Sequence, residues 1–291
     1  MMFQILSDIH IEKRPGGYTH PSAFIKPSAR YLILLGDIGS FYDTSNYVRF
    51  ITDLTEMYTK VFVIFGNNEY YTRGRMLKPM AELRQIIRMI FHLNRKVRIL
   101  DNEFVMLDSV MIYGSVLWSK LPEDLENFKY WIRYEKRKNI TVAQYNQLYT
   151  NAVKGLIKAI RIAKGTGKQL IVATHFPPTE KGTVTGKKFG SRGKYLYINN
   201  LDKLLKRDLI HTWVFGHTHI NVDMLSEGGT RLVTNQYGSK VVPEAGFDRE
   251  KIICCFPTTW GRVLTSEPSV VAESKEPDFK SSSEELVVVK E

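Results

Sequence analysis

Short apolar runs recur along the chain with little alternation between apolar and polar positions. They fall at residues 3–6, 31–35, 61–65, 97–100, 104–107, 111–114, 169–173 and 213–215, with further ones at 222–225, 231–234 and 252–255. A strand with one wet face alternates, whereas a strand covered on both faces does not. The runs therefore predict buried strands in parallel or mixed sheets, with helices outside. Between them the period changes. Val48, Ile51, Leu54 and Tyr58 share one face of a predicted helix over 44–58, and Leu77, Met80, Leu83, Ile87 and Ile90 one face of another over 75–94. A third opens on the capping box Thr141-Val142-Ala143-Gln144 and closes at Gly165. Residues 121–138 are also predicted helical. The order βαβα followed by successive strands points to an α/β sandwich with mixed sheets.

Composition narrows the class. With 43% hydrophobic and 24% charged residues, the 291-residue chain has a globular balance that excludes wholesale disorder. No apolar run approaches the roughly 18 residues of a spanning helix, so no membrane partner is expected. The first strand begins without a signal-like segment. Cys254 and Cys255 are adjacent, so on a strand they face opposite ways and suit two reduced thiols. A cytoplasmic protein is the expectation. Residues 1–265 contain no repeat or linker and are read as one domain. Beyond Ser266 the composition turns to Ser, Glu, Lys and Pro, and 266–291 is expected to be a disordered acidic tail. Seven acids and three lysines give that tail −4, so residues 1–265 carry +15 and the whole chain +11.

The ends of the predicted strands carry the chemistry. They read Ser7-Asp8-Ile9-His10, Gly36-Asp37, Gly66-Asn67-Asn68-Glu69, Thr174-His175 and Gly216-His217-Thr218-His219. In an α/β fold, ligands bind beyond the carboxyl ends of strands. Asp8 and His10 are two apart, as are His217 and His219, so in extended chain each pair projects from one face. With Asp37, Asn67 and His175 they make seven N and O donors. One ion uses three or four protein ligands, so the set suits two divalent ions sharing a carboxylate. Without a thiolate, Mn, Fe or Zn is expected.

These five segments, in this order, resemble the calcineurin-like metallophosphoesterases, whose pattern is D-x-H, G-D, G-N-H-[DE], a lone H, and G-H-x-H. The likeness spans roughly residues 1–260 and points to a compact, single-domain branch. It implies a four-layer α/β/β/α sandwich with two mixed sheets. It also implies one metal held by Asp8, His10, Asp37 and His219, and a second by Asp37, Asn67, His175 and His217. Hydroxide bridging the metals would attack phosphorus in line with the leaving oxygen.

One position departs from the pattern. Where the family has His after Gly-Asn, this chain has Asn68, which donates a hydrogen bond but delivers no proton. Three readings stand at this point: a substrate with a good leaving group, another acid such as His20, or vestigial activity. Retention of all seven ligand positions speaks against the last. Basic residues cluster at 73–98 and 181–207, and the Gly-rich stretch 182–193 is expected to form a rim loop. Lys187, Arg192 and Tyr70 are taken as substrate-binding candidates. The expected partner is a phosphorylated small molecule or nucleotide. The alternatives are a nuclease that uses the basic rim and a non-catalytic metal-binding interaction module.

Overall fold

The computed structural model describes residues 1–71, 78–125, 131–136, 138–184 and 194–255. Thirteen strands alternate with three α-helices and short 3-10 turns among these residues. The strands are β1 Met2–Leu6, β2 Tyr31–Leu35, β3 Lys60–Ile64, β4 Val97–Ile99, β5 Glu103–Met106, β6 Val110–Ser115 and β7 Arg133–Glu135. They continue with β8 Lys138–Asn139, β9 Gln169–Thr174, β10 Thr212–Phe215, β11 Asp223–Leu225, β12 Arg231–Thr234 and β13 Ile252–Cys254. The helices are α1 Thr44–Met57, α2 Met80–Phe91 and α3 Val142–Thr166.

Two large sheets form. One has the order β13-β1-β2-β3-β4 and the other β11-β12-β10-β9-β6-β5. In the first, β1 to β4 are parallel and β13 runs antiparallel to β1. In the second, β12, β10, β9 and β6 are parallel, with antiparallel edges at β11 and β5. Both sheets are therefore mixed.

Burial explains why the strands read as continuous apolar runs. Phe3, Ile5, Ile33, Leu35, Phe62 and Ile64 face Ile112, Ile171, Ala173, Val214 and Val233 in a core between the sheets. Their neighbours Leu32, Leu34, Val61 and Val63 point the other way, toward Phe50, Ile51 and Leu54 of α1 and Leu83 and Ile87 of α2. On the far side, Leu170, Val172, Trp213 and Phe215 pack on Ala152, Leu156 and Ala159 of α3. Both faces of each sheet are thus dry, as expected of the α/β/β/α sandwich.

Local signals behave as their chemistry requires. Thr141 Oγ1 accepts the Gln144 N–H and Gln144 Oε1 accepts the Thr141 N–H, closing the capping box that opens α3. Gly167, rather than Gly165, takes the left-handed cap at φ 66°, so 165–168 is the end of the helix. The predicted helix over 121–138 is corrected. Its described residues hold the small hairpin β7–β8, and Ile132 bridges Tyr71. The second helix runs over Met80–Phe91 behind an extended Pro79, and residues 75–77 of its predicted span lie outside the described residues. The tail at 266–291 lies outside the described residues, as do Lys187 and Arg192.

Candidate metal centre

Parallel strands deliver their carboxyl ends to one side, and the five polar segments meet there. Asp8 and His10 follow β1, Asp37 follows β2, Asn67 to Glu69 follow β3, His175 follows β9, and His217 and His219 follow β10. Two donor groups result: Asp8, His10 and His219, and Asp37, His175 and His217, with ligating atoms in each group within 4.8 Å of one another. Asn67 joins the second group, its Oδ1 lying 2.9 Å from His175 Nε2. Asp37 stands between the groups, with Oδ2 3.8 Å from His10 Nε2 and Oδ1 3.3 Å from His175 Nε2.

The backbone here is bent into unusual conformations. Asp8, His10, Asp37, His217 and His219 have φ of 55°, 51°, 51°, 73° and 56°, and only two other described non-glycine residues are positive. Such left-handed residues are costly and cluster where function over-determines the backbone. This corrects the extended-chain argument for Asp8/His10 and His217/His219. The pairs converge because the loops coil, not because alternate residues share a strand face. Glycine makes the close approach feasible: a Cβ on Gly36 would lie 2.6 Å from His175 Nδ1, and one on Gly216 would lie 2.6 Å from Asp8 Oδ2.

Surrounding groups fix the ligands. His175 Nδ1 donates to the Leu35 carbonyl at 2.8 Å, which turns Nε2 toward Asp37 Oδ1 and Asn67 Oδ1. The His217 ring lies between Phe176 and Tyr197, at centroid distances of 4.0 and 5.1 Å. Its Nε2 donates to the Leu196 carbonyl at 3.3 Å, which leaves the Nδ1 lone pair free. Buried Gln236 accepts the His219 N–H at 2.7 Å and donates to the Ile220 carbonyl. Glu69, fully buried, accepts N–H bonds from Asp37, Ile38 and Gly66.

Charge is concentrated at the site. Burial would raise Asp37, but His175 and His10 hold it far below the usual carboxylate range. Burial would depress His175, yet Asp37 lifts it to about 9. Burial and His175 together push His217 down to about 3. His10 Nε2 and His219 Nε2 face each other at 3.4 Å beside the buried Asp8 and Asp37. Imidazole nitrogens aimed at one another and at carboxylate oxygens fit a divalent cation at each group.

Other expectations change. Tyr70 is a core residue, fully buried among Phe41, Phe65 and Trp118, and offers no surface to a substrate. His20 is exposed and caps a 3-10 turn, its Nδ1 accepting the Ser22 N–H and its Nε2 3.9 Å from Asp53. It is no part of the cluster. Glu12, which no motif singled out, does lie there: its Oε1 accepts from Asn68 Nδ2 at 2.9 Å. Burial works to raise Glu12, but His10 and Asn68 hold it below its ordinary range. Its partners are distant or coiled back in the chain, so spacing gave no sign of it.

Comparison with known proteins agrees with this geometry. The sequence model of the calcineurin-like phosphoesterase family matches residues 1–221. An uncharacterised protein of Acanthamoeba polyphaga mimivirus is 27% identical over 224 residues, covering 72% of this chain and 78% of that one. Phosphopantetheinyl hydrolase from Mycobacterium tuberculosis superposes with a TM-score of 0.60 at 18% identity, over 81% of this chain and 89% of that chain. That structure shares the fold. On the family match and the convergent donor sets, the chain belongs to the calcineurin-like phosphoesterases and is a metal-dependent phosphoester hydrolase.

Proposed function

We propose that the chain hydrolyses a phosphomonoester or phosphodiester of a small molecule or nucleotide, by direct attack of water at a centre of two divalent ions. One observation carries the reading: two three-residue donor groups lie side by side, with Asp37 between them. Asp8, His10, Asp37 and His219 would hold one ion, and Asp37, Asn67, His175 and His217 the other. When bound, such ions polarise phosphate oxygens and acidify water, and a donor set of N and O suits Mn, Fe or Zn.

The chain's own residues set the rest. The Leu35 carbonyl orients the His175 ring, and Glu69 anchors the loop that bears Asp37. Asn68 can hydrogen-bond a phosphate oxygen but supplies no proton. General acid catalysis is worth about 10²–10⁴-fold. Phosphoanhydrides and aryl esters, whose leaving oxygen needs no proton, are therefore the favoured substrates.

A small substrate is favoured over nucleic acid because much of the basic run at 73–98 is paired within the fold. Lys78 meets Glu82, Arg84 meets Asp101 at 3.0 Å, and Arg88 and Arg98 meet Glu103 at 2.7 and 3.2 Å. Solvation and internal pairing leave less charge for a phosphate backbone. The test is a Mn²⁺-supplemented panel of nucleotides, aryl and alkyl phosphates, single-stranded DNA and RNA, and a phosphopantetheinyl conjugate, the class named for the structural neighbour. Hydrolysis of small esters above nucleic acid supports the reading. Two bound ions with no turnover on any member would favour the interaction module.

A further inference from the structure

A carboxylate stands behind the metal ligands, and the donor sets do not include it. Glu12 lies in the 3-10 turn Ile11–Lys13, directly after His10, and its side chain is only 5% exposed. Its Oε1 accepts a hydrogen bond from Asn68 Nδ2 at 2.9 Å and lies 3.5 Å from His10 Nδ1. That nitrogen is buried and makes no hydrogen bond among the described residues. The other ring nitrogen, Nε2, is the one turned toward His219 and Asp37. Asn68 in turn donates its main-chain N–H to Asp37 Oδ1 at 2.8 Å. One carboxylate thus touches the residue standing in the family's His position and the back of a candidate metal ligand.

We infer that Glu12 is a positioning residue with two attachments: it draws the His10 proton to Nδ1, leaving the Nε2 lone pair for a cation, and it fixes the orientation of the Asn68 carboxamide. The inference rests on the dinuclear reading above. A neutral imidazole carries one N–H, and the nitrogen without it is the metal donor. A carboxylate behind Nδ1 selects that tautomer and fixes the orientation of the ring. The amide of Asn68 has a donor end and an acceptor end. Glu12 accepts from the donor end, which sets the direction of both and leaves one Nδ2 hydrogen uncommitted to Glu12. The arrangement links the first strand's loop to the third strand's loop through side chains 56 residues apart.

Removal of an outer partner of this kind costs about 10–100-fold in metal affinity. The test is stepwise Mn²⁺ binding by calorimetry to the metal-stripped full chain and to its Glu12→Ala and Glu12→Gln variants, with thermal melting of each metal-free protein. Glu12→Ala is expected to weaken one binding step about 10–100-fold and to leave the other within about threefold. Glu12→Gln keeps an acceptor oxygen and recovers part of the loss. Should Glu12→Ala fail to fold, Glu12→Gln alone must still weaken one step selectively. Unchanged steps in both variants, or two steps that fall in parallel with melting temperature, would overturn the inference. A native chain that binds no divalent ion contradicts the dinuclear reading instead, so the two failures are distinguishable.

Discussion

The Glu69 carboxylate accepts the backbone N–H of Asp37 at 3.0 Å, so a side chain from the loop after β3 fixes the backbone of the aspartate that stands between the two donor groups. Both oxygens are engaged: Oε2 also takes the Gly66 N–H, and Oε1 takes those of Ile38 and Gly39. Burial and the Asp37 charge push Glu69 up to about 8, against the pull of His175 and these donors. Glu69→Gln turns an NH₂ toward N–H groups that then lack an acceptor. Each buried, unsatisfied donor costs about 1–3 kcal/mol. The variant is expected to unfold at lower denaturant concentration and to lose turnover. An unchanged midpoint would contradict this role.

Asn68 makes a prediction about leaving groups. Asn68→His restores a group able to protonate the departing oxygen, worth at most about 10²–10⁴-fold. Alkyl phosphates need that proton and aryl phosphates do not. Steady-state kinetics should therefore show a larger gain in kcat on an alkyl phosphate than on nitrophenyl phosphate. Equal gains on both would mean that proton delivery is not what Asn68 withholds.

These residues also show what a sequence discloses. Asp8, Asp37, Asn67, His175, His217 and His219 are legible because each stands where an apolar run stops and the core supplies no reason for a polar group. Strand placement is legible for a related reason, since dry faces on both sides remove alternation. The backbone at the site was not. Two-residue spacing suggests extended chain, yet Asp8, His10, His217 and His219 all have positive φ. The hairpin in place of a helix at 121–138 is set by tertiary pairing, with Ile132 bridging Tyr71 and Ile140 donating to the Ile132 carbonyl. Glu12 and Gln236 act on partners that spacing does not reveal. Tyr70 follows the motif in sequence but turns its ring into the core.

His211 gives the fold an acid-sensitive term. Burial, with Arg207 and Arg231 nearby, pushes its pKa down to about 4, and its Nε2 accepts from Arg207 at 2.7 Å. An unfolded histidine titrates near pH 6.5. Between about 6.5 and 4 the unfolded chain binds a proton that the folded chain refuses, so this contribution is complete above 6.5 and is lost as pH falls. Urea midpoints of the native chain and His211→Gln should converge as pH drops through that window. A constant difference between them would count against the assignment.

The adjacent thiols should differ in reactivity. Cys255 is fully buried, and burial pushes it up to about 11, whereas Cys254 is partly exposed. Only the thiolate is alkylated. Iodoacetamide at pH 8 is expected to label Cys254 in the folded chain and to reach Cys255 only in denaturant, as read by peptide mass mapping. Equal labelling of both in the folded chain would refute the difference.

On the proposed function, Asp37 joins two cation sites that together hydrolyse a phosphoester. The direct measurement is Mn²⁺ titration of the metal-stripped chain, with nitrophenyl phosphate hydrolysis followed at each addition, for the native sequence and Asp37→Asn. Two ions should bind per native chain, and turnover should rise with occupancy. Asp37→Asn, which removes the shared charge, should weaken binding of both ions and lower kcat by about 10²-fold or more. Hydrolysis that persists in Asp37→Asn at native rates, or that is complete with one ion bound, would contradict the account.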